Sequence, residues 1–128
     1  MMNRRHILTL VIIGWAMTSL AQSVVSPSRR YDAFFLEAIC ERAKGNNDAA
    51  FDLLRRCVEI DSTKSEAYYY IAQYYGALKQ REKAIACIEK AAALEPANTT
   101  YQETLANTYI NMRQYDKADR DRKSGSAG

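Results

Sequence analysis

A shift that carries Ala38 onto Ala72 and Ala72 onto Ala106 overlays the chain on itself, and the same shift lines up Ala50, Ala84 and Ala118 in a second column. It also matches Tyr75 with Tyr109, Phe34 with Tyr68 and Ile60 with Leu94. The segment Gln80-Arg81-Glu82-Lys83-Ala84 echoes Gln114-Tyr115-Asp116-Lys117-Ala118. A fixed period with small residues at two set places constrains the chain to stacked helix pairs, because an alanine at the crossing lets two helices approach closely.

With a unit started at Ser65, the middle repeat carries Tyr68, Ile71, Ala72, Tyr75, Ala84, Ile88, Ala91 and Pro96 at its signature places. The first unit, from Tyr31, keeps Phe34, Ala38, Ala50, Leu54 and Cys57 but departs at Glu37, Glu41 and Ser62. The third, from Thr99, keeps Leu105, Ala106, Tyr109 and Ala118 but has Gln102 and Arg122 at apolar places. These residues, and the period itself, resemble the tetratricopeptide repeat family, in a form expected to be an exported bacterial member. The resemblance implies an all-α fold, a short right-handed α-solenoid of about two and a half helix-turn-helix units. Residues 31–64 form a degenerate first unit, 65–98 the second and 99–123 an incomplete third, with 22–30 as a linker before them and 124–128 as a flexible tail.

Local signals place the helices. Ser26-Pro27-Ser28 separates the N-terminal segment from a first helix over about Arg29 to Lys44, stopped at Gly45-Asn46-Asn47. A second covers about Asp48 to Ile60, a third about Ser65 to Leu78 and a fourth about Arg81 to Leu94, closed by Pro96. Thr100 with Glu103 reads as a capping box for a fifth helix to about Met112, and a sixth begins near Tyr115. That sixth helix is expected to be short and charged, since Asp119-Arg120-Asp121-Arg122-Lys123 stands where apolar residues belong. The face of the fifth carrying Tyr101, Leu105, Tyr109 and Ile110 is then only partly covered. Continuation of the array in a longer protein, a solubilising cap and a self-association surface all fit that ending, and continuation is favoured. Such a chain should melt at low temperature or form dimers.

Residues 1–21 read as a signal peptide: Asn3-Arg4-Arg5-His6 is a basic start, Ile7 to Met17 an apolar run, and Ala21 follows Ser19-Leu20 before Gln22. The alternative is an uncleaved anchor, but the apolar run is shorter than the ~20 residues that a spanning helix needs. No stable membrane span is expected after cleavage. No cysteine follows the run, so a lipoprotein anchor is not available, and the expected location is periplasmic or secreted. Removing Arg4 and Arg5 leaves sixteen basic against fifteen acidic residues. That balance is too even for a phosphate-binding surface, so nucleic acid is not an expected partner. It also counts against reading Tyr68, Tyr69, Tyr70, Tyr74 and Tyr75 as a base-stacking platform.

Catalysis is not expected. The only histidine, His6, lies in the removed segment, and no nucleophile has a recognisable base beside it. No cofactor motif or metal set is present; Glu37 and Glu41 lie four apart on a helix without a histidine or calcium-loop spacing, and read as surface charge. Cys40, Cys57 and Cys87 are odd in number and read as small packing residues, with one bridge, such as Cys40 to Cys57, left open.

The resemblance implies that the first helix of each unit lines a concave groove for a peptide or partner protein. On the family's register the groove residues are Asp32, Phe35, Ile39, Arg42 and Ala43, then Glu66, Tyr69, Gln73, Gly76 and Ala77, then Thr100, Glu103, Asn107, Ile110 and Asn111. Phe35, Ile39, Arg42, Tyr69, Gln73, Gly76, Glu103, Asn107 and Asn111 are the candidate binding residues. Phe35, Ile39 and Tyr69 can hold apolar side chains, Gly76 admits a close backbone, and Gln73 and Asn107 can hydrogen-bond to it. Ordinary helix packing is the competing reading of the aromatics. The family's carboxylate clamp is not matched, because Phe35 and Ile39 occupy its first places. The implied function is a non-catalytic adaptor or scaffold; the alternative is the N-terminal part of a larger periplasmic sensor or envelope-assembly protein.

Overall fold

A computed structural model describes residues 25–125. The expected signal peptide and the last residues of the expected tail, 126–128, lie outside them. Five helices follow one another: α1 (Pro27–Ala43), α2 (Asn47–Ile60), α3 (Glu66–Ala77), α4 (Arg81–Leu94) and α5 (Thr99–Gly125). The architecture is an all-α repeat in which α1 pairs with α2 and α3 with α4, as the period predicts.

Ser26 and Pro27 begin the first helix instead of separating it from what precedes. The Ser26 hydroxyl accepts from the Arg29 N–H at 3.3 Å, and Pro27 takes the first turn, where its missing N–H costs nothing. Residues 27–30 of the expected linker are therefore helical. Both helix pairs turn in the same way. Gly45 has φ +84° and Lys79, its counterpart one repeat later, has φ +58°. The N–H groups of Gly45 and Asn46 reach back to Arg42 and Glu41, and those of Lys79 and Gln80 to Gly76 and Tyr75. This is a helix stop closed by one left-handed residue, supplied once by glycine and once by lysine.

The alanine columns sit where the period puts them in the first two units: Ala38 and Ala50 are fully buried, and Ala72 and Ala84 are 7% and 6% exposed. The core has two parts. Tyr31, Ala38, Leu54, Cys57, Ala67 and Ile71 join α1, α2 and α3, while Ala72, Ile88, Ala91, Ala92 and Tyr101 join α3, α4 and α5. Helix α3 serves both. Tyr68 packs against the second part and Tyr75 lies edge-on to Phe51 at 5.3 Å, so both fall on the packing side as expected. Cys40, Cys57 and Cys87 are free thiols, Cys40 exposed and Cys57 buried, with the Cys57 thiol donating to the Tyr31 carbonyl at 3.8 Å.

A polar joint between buried Ser65, buried Tyr101 and exposed Glu95 links the units. The Ser65 hydroxyl donates to Glu95 Oε1 at 2.5 Å and lies 3.4 Å from the Tyr101 hydroxyl, tying the start of the second unit to its end and to the third. Accepting from Ser65 and Asn98 holds the Glu95 carboxyl below the usual carboxylate range.

The third unit departs from expectation. α5 runs unbroken from Thr99 to Gly125, with no turn between a fifth and a sixth helix. Its start is capped by Asn98, whose Oδ1 accepts from the Tyr101 N–H at 3.2 Å, and not by the Thr100–Glu103 pair. The residue in register with Gly45 and Lys79 is Arg113, in a run of good helix formers. Breaking the helix there would place a side chain in the left-handed region at a cost of roughly 1–2 kcal/mol. In the second unit that cost is offset by burying Ile88 and Ala91 of α4; in the third the matching residues are Arg122 and Gly125, which bury no apolar side chain. The chain stays helical, and Ala106 and Ala118 are exposed.

Candidate binding groove

The groove face is built by α1, α3 and the first half of α5. An aromatic run crosses it: Tyr31 stacks on Phe35 (6.0 Å between centroids), Phe35 meets Tyr70 (5.9 Å), Tyr70 meets Tyr69 (5.4 Å) and Tyr69 meets Tyr101 (5.1 Å). Phe35, Ile39 and Tyr69 are half-buried. Phe35 and Tyr69 thus hold neighbouring first helices together, as the packing reading of the aromatics requires.

Arg42 is fixed more fully than its exposure suggests. Its Nη2 donates to Gln73 Oε1 at 2.8 Å, and its guanidinium carbon lies 4.8 Å from the Tyr70 ring centre and 5.9 Å from that of Tyr74. A guanidinium held over aromatic faces keeps its remaining N–H groups available in one orientation. Beside it a cavity of about 380 Å³ opens between the ends of α1 and α3 and the start of α2, lined by Arg42, Asn47, Asp48, Phe51, Gln73, Tyr74, Ala77 and Leu78.

A second cavity of about 300 Å³ lies between α3, α4 and α5, lined by Ala72, Gln73, Gly76, Arg81, Ala84, Thr108, Asn111, Met112 and Tyr115. Gln73 belongs to both. A β-carbon built on Gly76 meets nothing within 4 Å, so the glycine leaves open space on this face. The structure therefore brings Arg42, Gln73, Gly76 and Asn111 to two adjoining cavities, whereas Phe35 and Tyr69 pack in the aromatic run and half-buried Ile39 lines neither cavity. Glu103 and Asn107 stand exposed on α5 outside both cavities.

Sequence reasoning grouped Tyr70 and Tyr74 with the tyrosine cluster without giving them a role, and missed Phe51 and Leu78. The signal for the tyrosines is their spacing, since Tyr70, Tyr74 and Gln73 fall within one helical turn of one another at the end of α3. Phe51 and Leu78 belong to other elements, and only the folded turn places them there. Glu41 is engaged by Lys44 and Asn46 at 2.8 and 2.7 Å, which holds its carboxyl below the usual range and makes it a partner in the turn. Among the described residues no helix is long and apolar enough to cross a membrane.

Residues 65–98 match the sequence pattern of the tetratricopeptide repeat family. Among solved structures, the chain is similar to a crystal structure of MamA at 21% identity with a TM-score of 0.59, covering 70% of this chain and 53% of that one. It is similar to a crystal structure of the MamA protein at 22% identity with a TM-score of 0.59, covering 73% of this chain and 51% of that one. At these identities the likeness shows the fold, and the chain spans about half the length of those structures. No curated protein sequence matches. Residues 65–98 therefore carry one tetratricopeptide repeat, set among helices that follow its register in an all-α repeat fold.

Proposed function

We propose that the chain is an exported, non-catalytic adaptor that takes a peptide segment of a partner protein on the face formed by α1, α3 and α5. Tetratricopeptide repeats serve broadly as protein-interaction scaffolds, and the observation that carries the reading for this chain is the placement of Arg42. It is held by Gln73 and two tyrosine rings in the lining of a cavity that it shares with Phe51, Tyr74 and Leu78, next to a second cavity lined by Gly76. A partner segment with an apolar side chain for the Phe51, Tyr74 and Leu78 lining and a carbonyl or carboxylate for the Arg42 donors fits this arrangement. Asp48 across the cavity favours a donor group beside it.

The packing role of Phe35 and Tyr69 decides which variants test the groove. Truncating them loosens the contacts between first helices, so Arg42→Ala and Asn111→Ala are the cleaner probes. Partners captured from a native envelope fraction by the parent protein should be retained about tenfold less by the Arg42→Ala, Asn111→Ala pair. Equal retention by a variant with unchanged circular dichroism refutes the groove. Export rests on the basic, apolar and small-residue order of residues 1–21. Mass spectrometry of the protein from its native host should find a mature N-terminus at Gln22, and an intact Met1 would refute it.

A further inference from the structure

Next to the groove, with whose family register it shares Ile110, the unbroken α5 leaves a face without a partner, and the helix pairs before it show what the alanine column of such a face accepts. Ala106, Ile110, Arg113, Lys117 and Arg120 recur at three- and four-residue spacing and share one side of α5, with Tyr109 beside them. Tyr109 and Ile110 are 42% and 52% exposed, and Ala106, Arg113, Lys117 and Arg120 are exposed as well. The stripe therefore has an apolar upper half and a basic lower half. The Tyr109 hydroxyl donates to Glu89 of α4, which fixes its ring at the edge of the stripe. Arg122 and Lys123 are paired with Asp119, but Arg113, Lys117 and Arg120 make no ion pair among the described residues.

In the first two units the column of Ala38 and Ala72, which Ala106 continues, is buried, and in each a following antiparallel helix carries the matching alanine. Those covering helices share a pattern. Each begins with an acid in its first turn, Asp48 or Glu82, and continues with small, large and small apolar residues, Ala50-Leu54-Cys57 or Ala84-Ile88-Ala91. The third unit keeps Asp116 and Ala118 of that pattern but has Arg122 and Gly125 in its other two places. The second half of α5 therefore does not supply the cover.

We propose that this face of α5 docks an acidic amphipathic helix of a partner protein. The partner lies antiparallel to α5, its acidic first turns over Arg113, Lys117 and Arg120 and its small-large-small apolar side over Ala106, Tyr109 and Ile110. Charge selects the partner's N-terminal half, where acids also suit the helix dipole, and the alanine gap selects its C-terminal half. An anionic membrane fits less well, because the apolar half offers one isoleucine and a tyrosine already tied to Glu89.

The test uses a fluorescein-labelled peptide of about 16 residues, long enough to be helical, with glutamates in its first two turns followed by Ala-x3-Leu-x2-Ala. Fluorescence anisotropy with the full chain should show saturable binding, weakened about tenfold or more by Arg113→Glu with Lys117→Glu and separately by Ile110→Ser. All three positions are exposed, and circular dichroism confirms that the variants remain folded. Arg42→Ala should leave this binding unchanged, which separates the site from the groove. Several results overturn the proposal: no saturation, equal binding of a peptide with lysines for the glutamates, or loss of binding with Arg42→Ala. Preferential binding to phosphatidylglycerol vesicles, or dimers abolished by Ile110→Ser in the absence of peptide, also overturns it.

Discussion

Tyr31 serves several purposes at the start of the first unit. Its ring is 2% exposed, stacks on Phe35 and lies 4.4 Å under the Lys64 ammonium. Its hydroxyl accepts from the Ala67 N–H at 3.3 Å and donates to Glu66 Oε2 at 3.4 Å, while its carbonyl accepts from the Cys57 thiol. Removing only the hydroxyl leaves the ring packed and the buried Ala67 N–H without its partner. Tyr31→Phe should therefore cost about 1 kcal/mol, read as a lower urea midpoint at unchanged slope. Burial also pushes the Tyr31 phenol above its ordinary value and the Cys57 thiol up to about 11. An unfolded chain releases the thiol proton from about pH 8.5, where the folded chain still holds it. Stability is then complete below that pH and falls as pH rises toward 11. Cys87 is pushed up by burial too, so urea midpoints should drop between pH 8 and pH 10.5, and by less in Cys57→Ala, where one of the buried thiols is gone.

At the scale of the helix, the turns decide what forms. Lys79 holds a left-handed conformation that glycine adopts without strain, so Lys79→Gly should raise stability by about 1 kcal/mol, whereas Gly45→Ala should lower it by a similar amount. Gly76 is the opposite case, a helical glycine with open space at its β-carbon. Gly76→Ala should stabilise α3 by about 0.5–1 kcal/mol in urea melts and, by filling the groove, weaken a bound partner segment in the same protein. A parallel rise in both quantities would remove Gly76 from the groove. The boundaries of α2 to α4 were legible in the sequence to within one residue because capping, periodicity and turn residues agree there. The unbroken α5 was not, because the repeat period carries the register of a turn without saying whether the turn is worth making. That depends on what Arg122 and Gly125 can bury. The Arg42, Gln73, Gly76 and Asn111 part of the site was legible from the family register, but the Phe51 and Leu78 lining needs the fold. Ser65 and Glu95 stand at opposite ends of the second unit, too far apart in the chain for a local pattern to join them.

Across the whole molecule, each helix packs on the next, and the two core parts meet through α3 and through Cys87 of α4, which packs against both. The straight half of α5 is the sparsest region, and it marks where the repeat stops being built and a binding face begins. Restoring the missing pattern should convert one into the other. In a variant with Arg113→Gly, Arg122→Leu and Gly125→Ala, the left-handed turn is free of side-chain strain, and the second half of α5 regains the large and small residues that α2 and α4 bury. It should fold back as a third helix pair. Cysteines at Ala106→Cys and Ala118→Cys, with Cys40→Ser, report the change: along a straight helix these positions are about 18 Å apart, beyond any disulfide, and in a closed pair they fall within reach. Oxidation should therefore form an intramolecular bridge in the repaired variant and not in the parent. A bridge in both would mean that the parent already visits the closed pair, and a bridge in neither would mean that more than three residues keep α5 straight. Closure would also cover Ala106, Tyr109 and Ile110, so the repaired variant should lose its affinity for an acidic helix while its groove still binds.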